Sequence, residues 1–284
     1  MKRILITGTN SYVGNSFEKW LKNYPGEYSI DKVSLRNRSW KKKNFSNYDV
    51  VLHVAGIAHR KETKQNADLY YRVNRDLALE VAEISKHAGV KHFIFLSSMS
   101  VYGTENAVID KSTPLTPKSN YGKSKLQAEE LIGALNEEKY KVAILRPPMI
   151  YGANCKGNYT KLAGIAKKSP IFPDIKNKRS MIYVDNLSEF IRLLIDNYNS
   201  GLFFPQNSEY VETKEMVSLI AKTHGKNIKL IKLFNPIISM LKISTVNKAF
   251  GNLIYEKNMS EYKSNYNIAS FNKSIKLTEN VESK

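Results

Sequence analysis

Short apolar, β-branched runs alternate with segments of helical period through the first two-thirds of the chain. That is the pattern of a parallel sheet whose strands are joined by crossover helices. It predicts strands over residues 3–7, 28–35, 49–54, 91–97 and 141–146. Between them it predicts helices over 12–23, 66–87 (stopped by Gly89) and 120–138. Beyond Pro147 the alternation breaks. Residues 155–173 read as a loop and an amphipathic helix, 181–184 as a short strand, and 186–197 as a helix returning to the sheet. From 201 onward helical pieces mix with Asn- and Lys-rich loops. The expected fold is α/β, a doubly wound parallel sheet formed by residues 1–155 with 180–200 returning to it. Residues 156–179 and 201–284 then make a smaller C-terminal lobe. No internal repeat or low-complexity tract interrupts this pattern.

The 284 residues suffice for one such domain with a lobe. The single cysteine, Cys155, cannot close an intrachain disulfide, so nothing calls for an oxidising compartment. The first apolar run meets Gly8 before a signal-type stretch forms, and no later run approaches the ~18 apolar residues of a spanning helix. A cytoplasmic protein without a transmembrane segment is expected. The formal charge is +18, from 44 Lys and Arg against 26 Asp and Glu. The lysines are scattered among asparagines, and the densest run, Lys41 to Lys43, is short. With no helix-turn-helix, zinc-ligand or aromatic RNA-binding pattern, the charge reads as solvated surface that steers anionic substrates. Neither nucleic-acid binding nor a metal site is expected. The apolar, basic stretch 234–254 suits a packed helix pair or, alternatively, peripheral contact with an anionic membrane face where lipid-linked sugars reside.

The first strand runs directly into Thr7-Gly8-Thr9-Asn10-Ser11-Tyr12-Val13-Gly14 and then into a helix. This is a GxxGxxG turn with Ser11 at the middle glycine's place. Gly8 permits the tight turn and Gly14 lets the helix pack on the strand. The N–H groups of the first helical turn, at Tyr12 and Val13, face a pyrophosphate with the positive end of the helix dipole. Ser11 adds a Cβ where backbone and cofactor approach. The second strand closes on Val33-Ser34-Leu35-Arg36, without the acid that would accept from the ribose 2′-hydroxyl of NAD; Asp31 lies too early. Arginine suits a 2′-phosphate, so NADP is expected with Arg36 as its contact, and NAD is the alternative.

Tyr121 and Lys125 are four apart at the start of a predicted helix, one turn from each other on one face. An unperturbed phenol, with a pKa near ~10, exchanges protons poorly at neutral pH, and a nearby ammonium would lower that value. The fourth strand ends in Ser97-Ser98-Met99-Ser100, where Ser98 is placed to hold a reacting oxygen while Tyr121 gives or takes its proton.

With these pieces the sequence resembles the extended short-chain dehydrogenase/reductase superfamily, the nucleotide-sugar epimerases, dehydratases and 4-keto reductases, over nearly all of residues 1–200. The further matching pieces are His53-Val54-Ala55-Gly56, Val73-Asn74, Pro117 through the YGKSK run, and Leu145-Arg146-Pro147-Pro148-Met149-Ile150-Tyr151-Gly152. The resemblance implies a Rossmann sheet with Ser98, Tyr121 and Lys125 as the catalytic set. It also implies Ala55 and Asn74 near the cofactor, Pro147 and Pro148 beside the nicotinamide, and pairing of two copies through helices that include the Tyr121 segment. Arg179, in Arg179-Ser180-Met181-Ile182-Tyr183-Val184-Asp185-Asn186-Leu187, is implied to contact the diphosphate of a UDP-sugar substrate, a task that guanidinium geometry suits.

In the family's dehydratases an acidic pair follows the catalytic hydroxyl; here those places hold Met99 and Ser100. Reduction is favoured over epimerisation by Arg36 and the missing acid. The segment from Gly157 to Pro173 is similar to reductases of 4-keto-6-deoxy-N-acetylhexosamines from bacterial capsule and O-antigen synthesis, such as the UDP-N-acetyl-fucosamine-forming ones. The alternatives are an NAD-dependent UDP-sugar 4-epimerase and a dinucleotide sensor without catalysis, which would not need the Ser98, Tyr121 and Lys125 set.

Overall fold

Six strands line up side by side as a single parallel sheet. The structure is a computed structural model and describes residues 1–58, 60–233, 235 and 244–279; most of the apolar 234–243 part of the stretch singled out above lies outside them. In chain order the strands are β1 (Lys2–Thr7), β2 (Tyr28–Val33), β3 (Val50–His53), β4 (His92–Leu96), β5 (Ala107–Ile109) and β6 (Lys141–Leu145). They continue as β7 (Met149–Tyr151), β8 (Ile171–Pro173), β9 (Met181–Tyr183), β10 (Gly201–Phe203), β11 (Lys229–Ile231) and β12 (Leu253–Tyr255). The helices are α1 (Tyr12–Leu21), α2 (Ala67–Tyr71), α3 (Leu77–His87), α4 (Asn120–Gly133) and α5 (Asn158–Lys168). After them come α6 (Val184–Asn197), α7 (Thr213–Thr223), α8 (Ser244–Phe250) and α9 (Phe271–Glu279).

The chain forms two units. The first comprises residues 1–103, 114–147 and 187–205. Its sheet has the order β10-β6-β4-β3-β1-β2, with every pairing parallel. Ile4, Leu5, Ile6, Val50, Val51, Leu52, Phe93, Ile94 and Phe95 are all fully buried, as expected of strands covered on both faces. Burying each such side chain stabilises the fold by about 1.5–3 kcal/mol. The chain leaves β1 for β2 on one side and returns to β3 on the other, so the direction of winding reverses beside β1. Ligands of open α/β sheets bind at that reversal, outside the carboxyl ends of the strands. Residues between β2 and β3 make two 3-10 turns, Arg38–Lys42 and Phe45–Asn47, capped by Asn37 and Asn44. They bury Trp40 and Phe45 in the core that includes Ala78 and Val81 of α3.

Three boundaries differ from the sequence expectation, each for a local reason. Strand β2 stops at Val33, whose carbonyl accepts the Gly8 N–H (2.8 Å) as β1 turns away. Helix α4 stops at Gly133 because the next residues turn, and the Asn136 side chain accepts the Val142 N–H (2.9 Å) to start β6. The helix expected over 66–87 is α2 and α3 joined by a π turn at Arg72–Asp76, centred on buried Asn74. Single π turns inside helices often mark functional sites.

The second unit comprises residues 104–113, 148–186 and the chain from Gln206 onward. Its strands make three two-stranded parallel ladders, β5 with β12, β7 with β9 and β8 with β11. Those pairings draw 104–113 and 148–155, expected in the first domain, into the second unit. Among the described residues no helix is long and apolar enough to cross a membrane.

Candidate active site

The turn after β1 has the geometry its sequence foretold. Gly8 adopts φ +87°, and a Cβ there would lie 3.1 Å from the Ala55 Cα. A Cβ on Gly14 would meet the Ile6 Cγ2 at 2.9 Å and the Val54 side chain at 3.1 Å, so its absence lets α1 lie directly on the sheet. Ser11 acts as the N-cap of α1, its hydroxyl accepting the Gly14 N–H (3.3 Å). Tyr12 and Val13 fill the first turn, at the positive end of the helix. The bare Gly8 lets Ala55 pack against the turn, and the N–H groups of Tyr12 and Val13 at the start of α1 are those that would receive a dinucleotide pyrophosphate.

Arg36 is exposed three residues past the end of β2. Asp31 sits within β2, opposite Leu5, and its carboxylate is held by Lys43 (3.0 Å) and by the Tyr48 hydroxyl. Those bonds keep it ionised below the usual carboxylate range. It is thus engaged away from the strand end, where Arg36 is the charged residue.

Ser98, Tyr121 and Lys125 all lie in the first unit, the last two one turn apart on α4. Ser98 caps the 3-10 turn Met99–Tyr102, accepting the Ser100 N–H (3.1 Å). It also lies close enough to the Tyr121 phenol to act on its pKa. Burial raises the phenol pKa and Ser98 offsets only part of that rise. The lowering expected from Lys125 is not built here, because that ammonium turns to the sheet. Lys125 is 5% exposed, donates to the Leu96 carbonyl (2.7 Å) and lies over the Phe95 ring (4.5 Å). Burial pushes its pKa down to about 8, with Glu129 one turn on opposing the drop. Buried His53, bonded through Nδ1 to the Thr7 hydroxyl (3.2 Å), is pushed down to about 3 by burial and by Lys125, so it is neutral. The phenol is therefore protonated at neutral pH, with the Ser98 hydroxyl as its neighbour.

The lysine gives a pH expectation with a definite sign. Its folded pKa lies below the ~10.4 of an unfolded lysine, so the folded state holds fewer protons between the two values. Its contribution to stability is least below about pH 8 and improves as pH rises through that window. Activity that needs the ammonium does the reverse. We expect kcat/KM to fall on the alkaline side with a midpoint close to pH 8. The residual activity of Lys125→Arg should lack that limb, since guanidinium stays charged; an unchanged limb assigns the titration elsewhere.

Asn74 is more a strut than a free ligand. Its Oδ1 accepts the Ile57 N–H (2.7 Å), and its Nδ2 donates to the Ile57 carbonyl (3.1 Å) and the Ser124 hydroxyl (3.2 Å). It thereby ties the chain after β3 to α4. Pro147 is buried and its carbonyl accepts the Met99 N–H (3.0 Å), which fixes the turn carrying Ser98. Pro148 opens the next stretch of the second unit. Also there, Arg179 donates to the carbonyls of Gly251 (3.0 Å) and Asn247 (3.4 Å), and burial lowers its pKa.

Sequence reasoning missed two acids. Glu129 and Arg146 form a buried pair with Nη2–Oε2 at 2.6 Å and both carboxylate oxygens on Nε (3.1 and 3.0 Å), while Nη1 bonds the Tyr102 hydroxyl (3.1 Å). The i+4 spacing from Lys125 was the available signal. Glu62, in the loop after β3, bonds the start of α4, and nothing in its neighbourhood in sequence announces it. Among the described residues no cluster of His, Cys, Asp and Glu could hold a metal.

A family model described as the NAD dependent epimerase/dehydratase family matches residues 4–209. The chain belongs to that family. It is an NAD(P)-dependent nucleotide-sugar enzyme of the extended short-chain dehydrogenase/reductase type, with the Rossmann-like parallel sheet described above. It is 29% identical over 248 residues to a UDP-glucose 4-epimerase of Vibrio cholerae, covering 78% of this chain and 75% of that protein. It is 33% identical over 215 residues to the N-acetyl-alpha-D-glucosaminyl-diphospho-ditrans,octacis-undecaprenol 4-epimerase of Escherichia coli O157:H7, covering 70% of this chain and 64% of that protein. Among solved structures, a dTDP-4-dehydrorhamnose reductase of Clostridium acetobutylicum superposes with a TM-score of 0.76 at 19% identity, covering 97% of this chain and 98% of that one.

Proposed function

We propose that this family member reduces the C4 ketone of a UDP-linked 4-keto-6-deoxy-N-acetylhexosamine with NADPH, in the synthesis of a bacterial surface polysaccharide. The observation that carries the reading is the phenol of Tyr121, kept protonated by burial and close to Ser98. Burial makes this phenol a weak acid, so it keeps its proton until a strongly basic oxygen forms beside it, as C4 takes up hydride. Arg36, exposed three residues past β2, and the engagement of Asp31 by Lys43 and Tyr48 support NADPH as the donor. Met99 and Ser100 after the catalytic serine provide no acid and base for dehydration.

Gly8, Ser11, Tyr12, Val13 and Gly14 would hold the pyrophosphate, Arg36 the 2′-phosphate, and Ala55, Asn74, Pro147 and Pro148 would border the rest of the dinucleotide. Bound there, the reduced nicotinamide supplies the two electrons and one hydrogen that the carbonyl carbon accepts. Ser98 orients the C4 oxygen and Tyr121 delivers the proton that completes the secondary alcohol. Lys125 supplies positive charge and an anchor for the ribose. Arg179 is assigned the substrate diphosphate.

The 4-epimerase relatives favour a second reading, in which the cofactor is regenerated within each turnover. Incubation with UDP-4-keto-6-deoxy-N-acetylhexosamine separates the two. The first reading expects one NADPH consumed per sugar. Unconsumed cofactor together with interconversion of UDP-N-acetylglucosamine and its C4 epimer establishes the second. Arg36→Ala is expected to weaken NADPH binding by at least about tenfold more than NADH binding, the loss of a charge-assisted bond. Equal losses in a fluorescence titration remove Arg36 from the cofactor site.

A further inference from the structure

Every helix begins with four backbone N–H groups that lack an intrahelical acceptor. At the start of α4 three of them are taken up by side chains. Asn120 N–H donates to Glu62 Oε2 (2.9 Å) and Tyr121 N–H to Glu62 Oε1 (3.0 Å). Gly122 N–H donates to the Ser119 hydroxyl (3.0 Å) and Lys123 N–H to the Ser119 carbonyl (2.9 Å). The first turn of α4 contains no acid of its own. Its positive end is met by a carboxylate some sixty residues earlier, and one of the two amides it holds belongs to Tyr121.

The carboxylate is carried on a braced turn. Thr63 N–H donates to the Asn66 side chain (2.9 Å), the Asn66 amide donates back to the Lys61 carbonyl (2.9 Å), and the Tyr70 hydroxyl donates to the Arg60 carbonyl (2.9 Å). Two charge-assisted bonds from so fixed a group define a position and an orientation. Lys125 is anchored separately, on the Leu96 carbonyl one turn deeper. The phenol end of the helix and its ammonium end thus have independent supports.

We propose that Glu62 is a positioning residue for the Tyr121 phenol, fixing the first turn of α4 so that the hydroxyl stays in reach of Ser98. The inference rests on Tyr121 as proton donor. Without Glu62 the amides of Asn120 and Tyr121 lose their acceptors and the first turn frays, while the Lys125 side of the site keeps its geometry.

The test uses the full chain with Glu62→Ala, Glu62→Gln and Tyr121→Phe. Glu62→Ala is expected to lower kcat by about 10- to 100-fold, the scale of an ångström's misplacement. Dinucleotide Kd should stay within about twofold, because the glycine turn and Lys125 are untouched. Hydrogen exchange should accelerate at Asn120 and Tyr121 and not in the rest of α4. Glu62→Gln, with one acceptor oxygen left, should fall between. The inference is overturned if kcat of Glu62→Ala stays within about twofold of the parent, or if it falls only in step with dinucleotide binding and folded fraction. Tyr121→Phe separates the two levels: if it is inactive while Glu62→Ala is active, only the positioning role fails; if it is active, the reading beneath it fails.

Discussion

Tyr121→Phe is expected to lose turnover by about 10³-fold, within the range that general acid–base groups contribute, and to keep its dinucleotide affinity. The substitution removes one oxygen. The ring stays, with its packing at the start of α4, and the glycine turn, Arg36 and Lys125 are unaltered. The group lost is the one that burial keeps protonated and that lies close to Ser98. Among the described residues no carboxylate or imidazole hydrogen-bonds Ser98, whose hydroxyl bonds Ser100. Steady-state assay of kcat beside fluorescence titration of the cofactor reads both halves. Loss of binding together with turnover would make Tyr121 structural, and near-parental kcat would remove it from the chemistry.

Glu129→Ala is expected to produce the largest loss of stability, about 3–5 kcal/mol, the usual effect of taking one partner from a buried ion pair. Both side chains are almost wholly buried, at 7% and 5% exposure, and the contact is bidentate. Removing the carboxylate leaves Arg146 facing the Tyr102 ring and hydroxyl, and leaves Lys125 without the anion that supports its charge. Replacing both partners, as Glu129→Leu with Arg146→Met, should recover most of the stability, since apolar pairs of similar volume replace buried ion pairs at little cost. Urea unfolding of the single and double variants checks this. The double variant will not recover the pH profile. With Glu129 gone, burial acts on Lys125 unopposed, so the alkaline limb of any remaining activity moves below about pH 8. A Glu129→Ala protein as stable as its parent would show the pair to be solvated in solution.

What could be read from the chain was what is written locally. The inner strands β1, β3, β4 and β6 are runs of four to six mostly buried apolar residues, and composition alone marks them. Gly8 and Gly14, and the Tyr121–Lys125 spacing, lie within single turns of structure, so their geometry follows from order in sequence. The rest depends on partners far along the chain. Glu62 and Tyr121 are distant in sequence, and so are Glu129 and Arg146; nothing periodic connects them. Strands β5, β7 and β12 have three residues each, too few for an alternation to show, and the division between units depends on their pairing. The direction of the Lys125 side chain is not legible in sequence, because helical spacing places two residues on one face without saying which way a long side chain turns. The Leu96 carbonyl decides that.

The central claim is that Tyr121, Ser98 and Lys125 complete a two-electron reduction at C4 of a sugar. Its most direct measurement is isotope transfer: NADPH carrying deuterium on the transferred position is incubated with UDP-4-keto-6-deoxy-N-acetylhexosamine, and the product is read by NMR. Deuterium bound to C4 of a secondary alcohol, at one atom per turnover and absent with Tyr121→Phe, is the expected result. A product without deuterium at C4, or deuterium transfer undiminished in Tyr121→Phe, contradicts it.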